Sequence, residues 1–181
     1  MAVNRLAISG KGISVFKNRE LSPTASDTWV NQGILESMTL TDTPDDVDVN
    51  DAQGYVVTTV QGNEKISAVV VLKQTSKTEI DYARAIRGKY YDMVAHIPLE
   101  GSSWQHIRMF GKITSAIELN FVAGKERTIK LTCKLLAPKA AFSGTPAGLS
   151  YTKNVPYVVL DDTTESQDPS DTAANVAAAI L

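Results

Sequence analysis

Ile113-Thr114-Ser115-Ala116-Ile117-Glu118-Leu119-Asn120-Phe121 is the stretch that decides the fold. Successive side chains of a strand point to opposite faces. Here that rule puts Ile113, Ser115, Ile117, Leu119 and Phe121 on one side and Thr114, Ala116, Glu118 and Asn120 on the other. After Val122-Ala123-Gly124-Lys125 the alternation resumes, with Ile129, Leu131, Cys133 and Leu135 facing one way and Thr128, Lys130, Thr132 and Lys134 the other. Two half-buried strands joined by a short glycine-containing connection form an antiparallel hairpin.

Working outward, Tyr55–Val60 and Ile66–Leu72 are rich in β-branched residues, and Gln61-Gly62-Asn63-Glu64 between them predicts a second hairpin. Ile34–Thr41, Tyr91–Leu99 and Trp104–Phe110 are further expected strands. Ala7–Phe16 is a weaker candidate, and Asn154–Leu160 is expected at an edge. Ser76-Lys77-Thr78-Glu79 has the capping-box form, and the segment stops at Arg87-Gly88, which predicts one helix of about three turns. The expected fold is therefore mainly β: a β-sandwich or small barrel of seven or eight strands, one flanking α-helix, long loops and terminal arms. A single domain is expected over residues 1–160, with irregular stretches at 18–33 and 42–53, followed by an acidic C-terminal arm over 161–181.

The chain has 181 residues, 43% hydrophobic and 21% charged, enough for one domain with a real core. No apolar run approaches the ~20 residues needed to cross a bilayer, and the start lacks the apolar stretch of a secretory signal. Cytoplasmic synthesis is expected, with no membrane partner. Net charge is −2, which argues against general nucleic-acid affinity. The layout is uneven. After Lys153 there is no Lys or Arg, yet Asp161, Asp162, Glu165, Asp168 and Asp171 follow. Removing those five acids from twenty leaves fifteen against eighteen bases, so residues 1–153 carry +3 and the tail −5. The two parts attract, within one chain or between neighbours. Ile180-Leu181 ends the acidic tail as a candidate docking arm directed at another subunit.

No constellation able to run a reaction is present, and neither a cofactor nor a metal is expected. His96 and His106 are the only histidines, both in expected strands, and read as tolerated polar residues. Cys133, the only thiol, is in phase with Leu131 and Leu135, where it acts as a small inert hydrophobe. Asp42, Asp45, Asp46, Asp48 and Asp51 form an acidic cluster. Asp46-x-Asp48-x-Asn50 matches the opening of an EF-hand loop, but Asp51 stands where glycine is needed and Val57 where the closing glutamate is needed. Gly10-Lys11-Gly12 is too short to cradle phosphate. Lys125, Arg127, Lys130 and Lys134 lie around the late hairpin as a candidate inter-subunit basic face, with no interleaved aromatics to suggest nucleic acid.

The strand-helix-strand core followed by Lys112–Phe121 and Arg127–Lys134 resembles the tail tube proteins of tailed bacteriophages, and the related ring-forming tube proteins of contractile secretion systems. The resemblance covers residues 34–136. It implies a non-enzymatic virion protein, assembled in the host cytoplasm, whose homohexameric rings stack into a hollow tail tube. DNA would pass through without sequence-specific binding, and sheath, baseplate or terminator proteins would be partners. It also implies long hairpins joining a continuous inner barrel, with the acids Asp42, Asp45, Asp46, Asp48 and Asp51 lining the bore or serving assembly. The alternative stations are a baseplate, tail-terminator or connector ring protein, a capsid decoration (cement) protein, or a small binding or hydrolytic β domain.

Overall fold

The computed structural model describes residues 13–43, 46–50, 53, 56–61, 65–74, 77–99, 103–123, 127–141, 155–162 and 168–181. In chain order the elements are β1 (Val15–Glu20), β2 (Val30–Thr43), β3 (Asp46–Asn50), β4 (Val56–Gln61), β5 (Lys65–Gln74), α1 (Lys77–Ala85), β6 (Tyr90–Pro98), β7 (Trp104–Asn120), β8 (Arg127–Leu135), β9 (Tyr157–Asp162) and α2 (Ala173–Ile180). Every pairing is antiparallel. The order β6-β1-β2-β5-β8-β7 closes on itself through a β6–β7 pairing, which makes a small barrel, and β9 adds to the first part of β7.

Two long strands hold the halves of the barrel together. In β7, residues 104–112 pair with β6 while 111–120 pair with β8; in β2, residues 30–34 pair with β1 and 34–43 with β5. Trp104–Phe110 and Ile113–Phe121, expected as separate strands, are thus one strand with an irregularity between Ile113 and Ile117. The expected hairpin of Tyr55–Val60 with Ile66–Leu72 does not form. β4 pairs with β3, and β5 pairs with β2 and β8. The physical reason lies in Asp-Val-Asp-Val-Asn over 46–50: its period of two makes it a strand although its composition reads as loop. β3 and β4 form a separate two-stranded ribbon, carried on the ends of β2 and β5. The stretches expected to be irregular at 18–33 and 42–53 likewise contain the end of β1, the start and end of β2, and β3. Ala7–Gly12 and Ser76 fall outside the described residues.

The interior follows from the alternation. Phe16, Leu35, Ala68, Val70, Leu72, Met93, Met109, Ile113, Ile129, Leu131 and Cys133 point inward, and α1 adds Ile80 and Ala83, with Ile86 just beyond it. The helix ends as its sequence requires. Gly88 has φ +77°, a left-handed conformation that glycine adopts without penalty, and its N–H donates to the Ile113 carbonyl at 2.8 Å. Cys133 is fully buried, with its Sγ 3.7 Å from Met93 Sδ; burial pushes its thiol up to about 12, so it stays protonated and unreactive.

Gly111 marks a close approach between β7 and β8, because a Cβ built there would stand 2.5 Å from the Lys134 carbonyl oxygen. A side chain at this position forces the two backbones apart. Gly111→Ala is expected to lower unfolding free energy by about 1–3 kcal/mol, read as a fall in Tm; an unchanged melt would show that the pairing relaxes freely.

Candidate functional site

Strand β8 alternates between buried and open positions, as a strand with one covered face should, whereas Tyr91–His96 of β6 is buried at every residue. Something covers the outer face of the β1–β6–β7 half. That face carries three cross-strand rows fixed by register: Arg19 beside Asp92 beside Phe110, Lys17 beside Val94 beside Arg108, and Val15 beside His96 beside His106. The cover is the C-terminal segment Asp168–Leu181.

Charge pairing organises the contact. Asp92 Oδ2 accepts from Arg19 Nε at 3.0 Å, Arg19 Nη2 at 2.8 Å and Arg108 Nη2 at 2.7 Å, and its Oδ1 accepts from Arg108 Nε at 3.0 Å. Asp171 closes the other side, its Oδ1 accepting from Arg19 Nη2 at 2.7 Å and Arg108 Nη2 at 2.9 Å, while Arg19 Nη1 donates to its backbone carbonyl. Two guanidinium groups and two carboxylates, with Arg19, Arg108 and Asp92 at most 1% exposed, form a neutral buried quartet. The Trp29 ring stacks 4.6 Å from the Arg19 guanidinium, and its indole N–H donates to the Pro169 carbonyl at 2.9 Å.

Next to the quartet, Lys17 Nζ donates to both Asp168 oxygens at 2.8 Å, and His96 Nε2 stands 3.0 Å from Asp168 Oδ1. A carboxylate accepts, so His96 Nε2–H donates to Asp168, while His96 Nδ1 and His106 Nδ1 stand 2.8 Å apart and share one hydrogen bond in which one ring donates and the other accepts. The two histidines are therefore partners of each other and of the arm, a more specific role than the tolerated polar residues expected. Burial acts to raise the Asp168 pKa, but hydrogen bonds from His96 and Lys17 and their charges outweigh it and hold the carboxyl below its ordinary value.

Past Asp171, Thr172 caps α2, its hydroxyl accepting from Asn175 N–H at 3.2 Å, and Asp27 accepts from Ala173 N–H at 2.5 Å. Val176, Ala177 and Ile180 then pack on Leu21 and Phe110. Ile180, expected to dock on another subunit, is buried against its own barrel, while Leu181 remains 48% exposed with its carbonyl held by Lys139 Nζ. The correction has a plain cause: Lys17, Arg19 and Arg108 of the same chain supply the cations that Asp168 and Asp171 need.

The other sequence-derived residues lie elsewhere. Asp42 is exposed near the end of β2, opposite Ile66; Asp46 and Asp48 occupy β3, opposite Gln61 and Thr59; Asp45, Asp51 and Lys125 fall outside the described residues. Arg127 stands 5.7 Å over the exposed Phe121 ring, Lys130 Nζ donates to Glu118 at 3.0 Å, and Lys134 is exposed. Sequence reasoning missed the roles of Arg19, Asp92 and Arg108 and placed Asp171 only among the acids of the tail; the available signal was the opposite charge of tail and body.

Among the described residues no group of three or more His, Cys, Asp or Glu is placed to hold a metal ion, and no helix is long and apolar enough to cross a membrane. A polar cleft of about 350 Å³ is lined by Ser22, Thr24, Ser26, Thr28 and Tyr82, with Glu20 already engaged by Lys89 at 2.8 Å. No protein-family model and no curated protein matches the chain. Solved structures similar to it include the following two. One belongs to the virion of a native gene transfer agent particle, at 15% identity over 65% of this chain and 88% of that one, TM-score 0.41. The other belongs to the tail of an empty gene transfer agent particle of C6 symmetry, at 16% identity over 71% and 93%, TM-score 0.42.

Removing one member of the quartet leaves two buried cations facing one carboxylate. Asp92→Ala is expected to cost about 3–5 kcal/mol in a denaturant melt; a cost under ~1 kcal/mol would show that the guanidinium groups reach water without Asp92.

The acid response of the arm follows from Asp168. A carboxyl whose folded pKa is depressed contributes stability that is fully present above its ordinary value of 3.8 and fades as pH falls through the lower folded value. Fluorescence of Trp29, which touches the arm through Pro169, is expected to report a transition below that value. Asp168→Asn should abolish that transition; an unaltered titration in the variant would assign it to another group.

Proposed function

We propose that this chain is a structural ring subunit of a phage-type tail tube, forming hexameric rings that stack into a hollow tube through which DNA passes. The observation that carries the reading is the β3–β4 ribbon. It is a two-stranded extension of β2 and β5, and it pairs with no other strand among the described residues. An isolated two-stranded ribbon is marginal in water, and its edges present unpaired backbone groups to any extended partner. Such an element becomes stable when neighbouring copies cover it. The closed barrel behind it, with α1 in its core cluster and the C-terminal arm folded onto the outside, is a rigid body suited to repetition.

Asp46 and Asp48 belong to β3 and Asp42 to the end of β2, and together with Asp45 and Asp51 they would line the bore or meet bases of the next copy. Lys125, Arg127, Lys130 and Lys134 would supply the complementary bases. The order of elements agrees with the resemblance to tail tube proteins. Partners of the tube would be baseplate, terminator or sheath proteins, and the assembled location the virion tail.

Electron microscopy of the purified full chain, with its mass in solution, tests the reading. Six-fold rings or hollow tubes are the expected result. A stable monomer or trimer that binds preformed shells would place the chain among decoration proteins instead, and rings that never stack would make it a connector or terminator.

A further inference from the structure

His96 and His106 face each other across the β6–β7 ladder, 0% and 1% exposed, with their ring centres 4.9 Å apart. Their two Nδ1 atoms share one hydrogen bond across 2.8 Å, so one Nδ1 carries a proton and the other is bare. The bare nitrogen sets a limit. With His96 Nε2–H already given to Asp168, the pair can accept one further proton in all, on one ring or the other. A second would set the N–H groups of two imidazolium rings head-on.

The charged groups around the pair are already matched. From β1, Val15 stands opposite His96 and Lys17 lies one row along; from β7, Arg108 follows His106 on the same side. From the arm, Asp168 accepts from both Lys17 and His96. From β9, Leu160 stands opposite His106, Asp162 lies two places further along, and Asp161 is engaged by Gln105 at 2.9 Å. Asp92 and Asp171 hold Arg19 and Arg108 in the neighbouring rows. Lys17, Arg19 and Arg108 are thus balanced by Asp168, Asp92 and Asp171 while both rings are neutral. Each proton added to the pair is a buried cation in excess, and the second also breaks the bond between the rings.

We infer that the His96–His106 pair is a proton-counting latch between β6 and β7: it stays shut while the two rings hold no more than one extra proton and opens when they take the second. The open form binds more protons than the closed one, so its share grows as pH falls. An imidazole in water takes its proton near pH ~6.5, which makes opening a mildly acidic event. The Asp168 carboxyl, held below 3.8, keeps its charge through that range, so Lys17 and the quartet still hold the arm. Acid therefore acts in two steps, first on the β6–β7 contact where the arm enters and then on the arm itself. The latch is independent of the ring-subunit reading.

Hydrogen–deuterium exchange of the full chain tests it, read on peptides covering 93–98 and 104–109 and corrected for the intrinsic pH dependence of exchange. Between pH 7 and pH 5 the protection of these peptides is expected to fall about tenfold. His106→Gln and His96→Gln, whose side-chain amides take no proton in this range, should hold protection flat, and Asp168→Asn should retain the wild-type fall. Constant protection in the wild type overturns the inference. So does a fall that persists in the glutamine variants, which would assign it to another group, or one that disappears in Asp168→Asn, which would assign it to the carboxylate. If the glutamine variants lack protection already at pH 7, the wild-type and Asp168→Asn profiles decide.

Discussion

Asp92, held between Arg19 and Arg108 and closed over by Asp171, is the interaction on which the arrangement of the molecule depends. Charges removed from water are tolerated only when paired and hydrogen-bonded, and the barrel alone provides one carboxylate for two guanidinium groups. The second carboxylate arrives with the C-terminal arm. Docking the arm is therefore a condition for completing the barrel wall, and α2 follows because Thr172 and the apolar side of Ala173–Ile180 come into place directly after Asp171. A purely apolar arm would bury similar area without a fixed position. The directional bonds from Arg19 and Arg108 set its register, and the Lys17–Asp168–His96 contacts fix where it enters.

The barrel was legible in the chain where one face is buried and the other open, as in Ile129–Leu135, because alternation is then clean. It was legible too in α1, whose end is written in Arg87-Gly88. The errors have physical origins. β3 hid among acids, since Val47 and Val49 are flanked by residues of low strand propensity. β7 read as two strands because Gly111-Lys112 interrupts the apolar pattern, although that glycine is there to let β8 approach. α2 was read as part of the acidic C-terminal arm because it carries no charge in its first or last turn to mark its ends.

The quartet was illegible for a different reason. Arg19 and Asp171 are 152 positions apart, and Arg19 and Asp92 are 73 apart. The charge asymmetry between body and tail announced an attraction and left its direction open, inside the chain or between chains. The His96–His106 contact likewise depends on the β6–β7 register, which no local pattern specifies.

With one outer face sealed from within, the open surfaces among the described residues include the β5–β8 face, the unpaired edges of the β3–β4 ribbon and the exposed hairpin tip at Phe121 and Val122. Exposed strand edges pair indiscriminately unless something opposes it, and charged residues along them are the usual opposition. Asp46 and Asp48 put like charge along β3 in every copy, so pairing of one ribbon edge with another is disfavoured. A contact between the ribbon and a different surface of another copy meets no such repulsion. A contact of that kind is head-to-tail rather than two-fold: it closes into a ring when the rotation between copies divides the circle and runs on as a filament when it does not. Acidic residues on β3 thus bias any self-association of the ribbon away from a two-fold contact between ribbons.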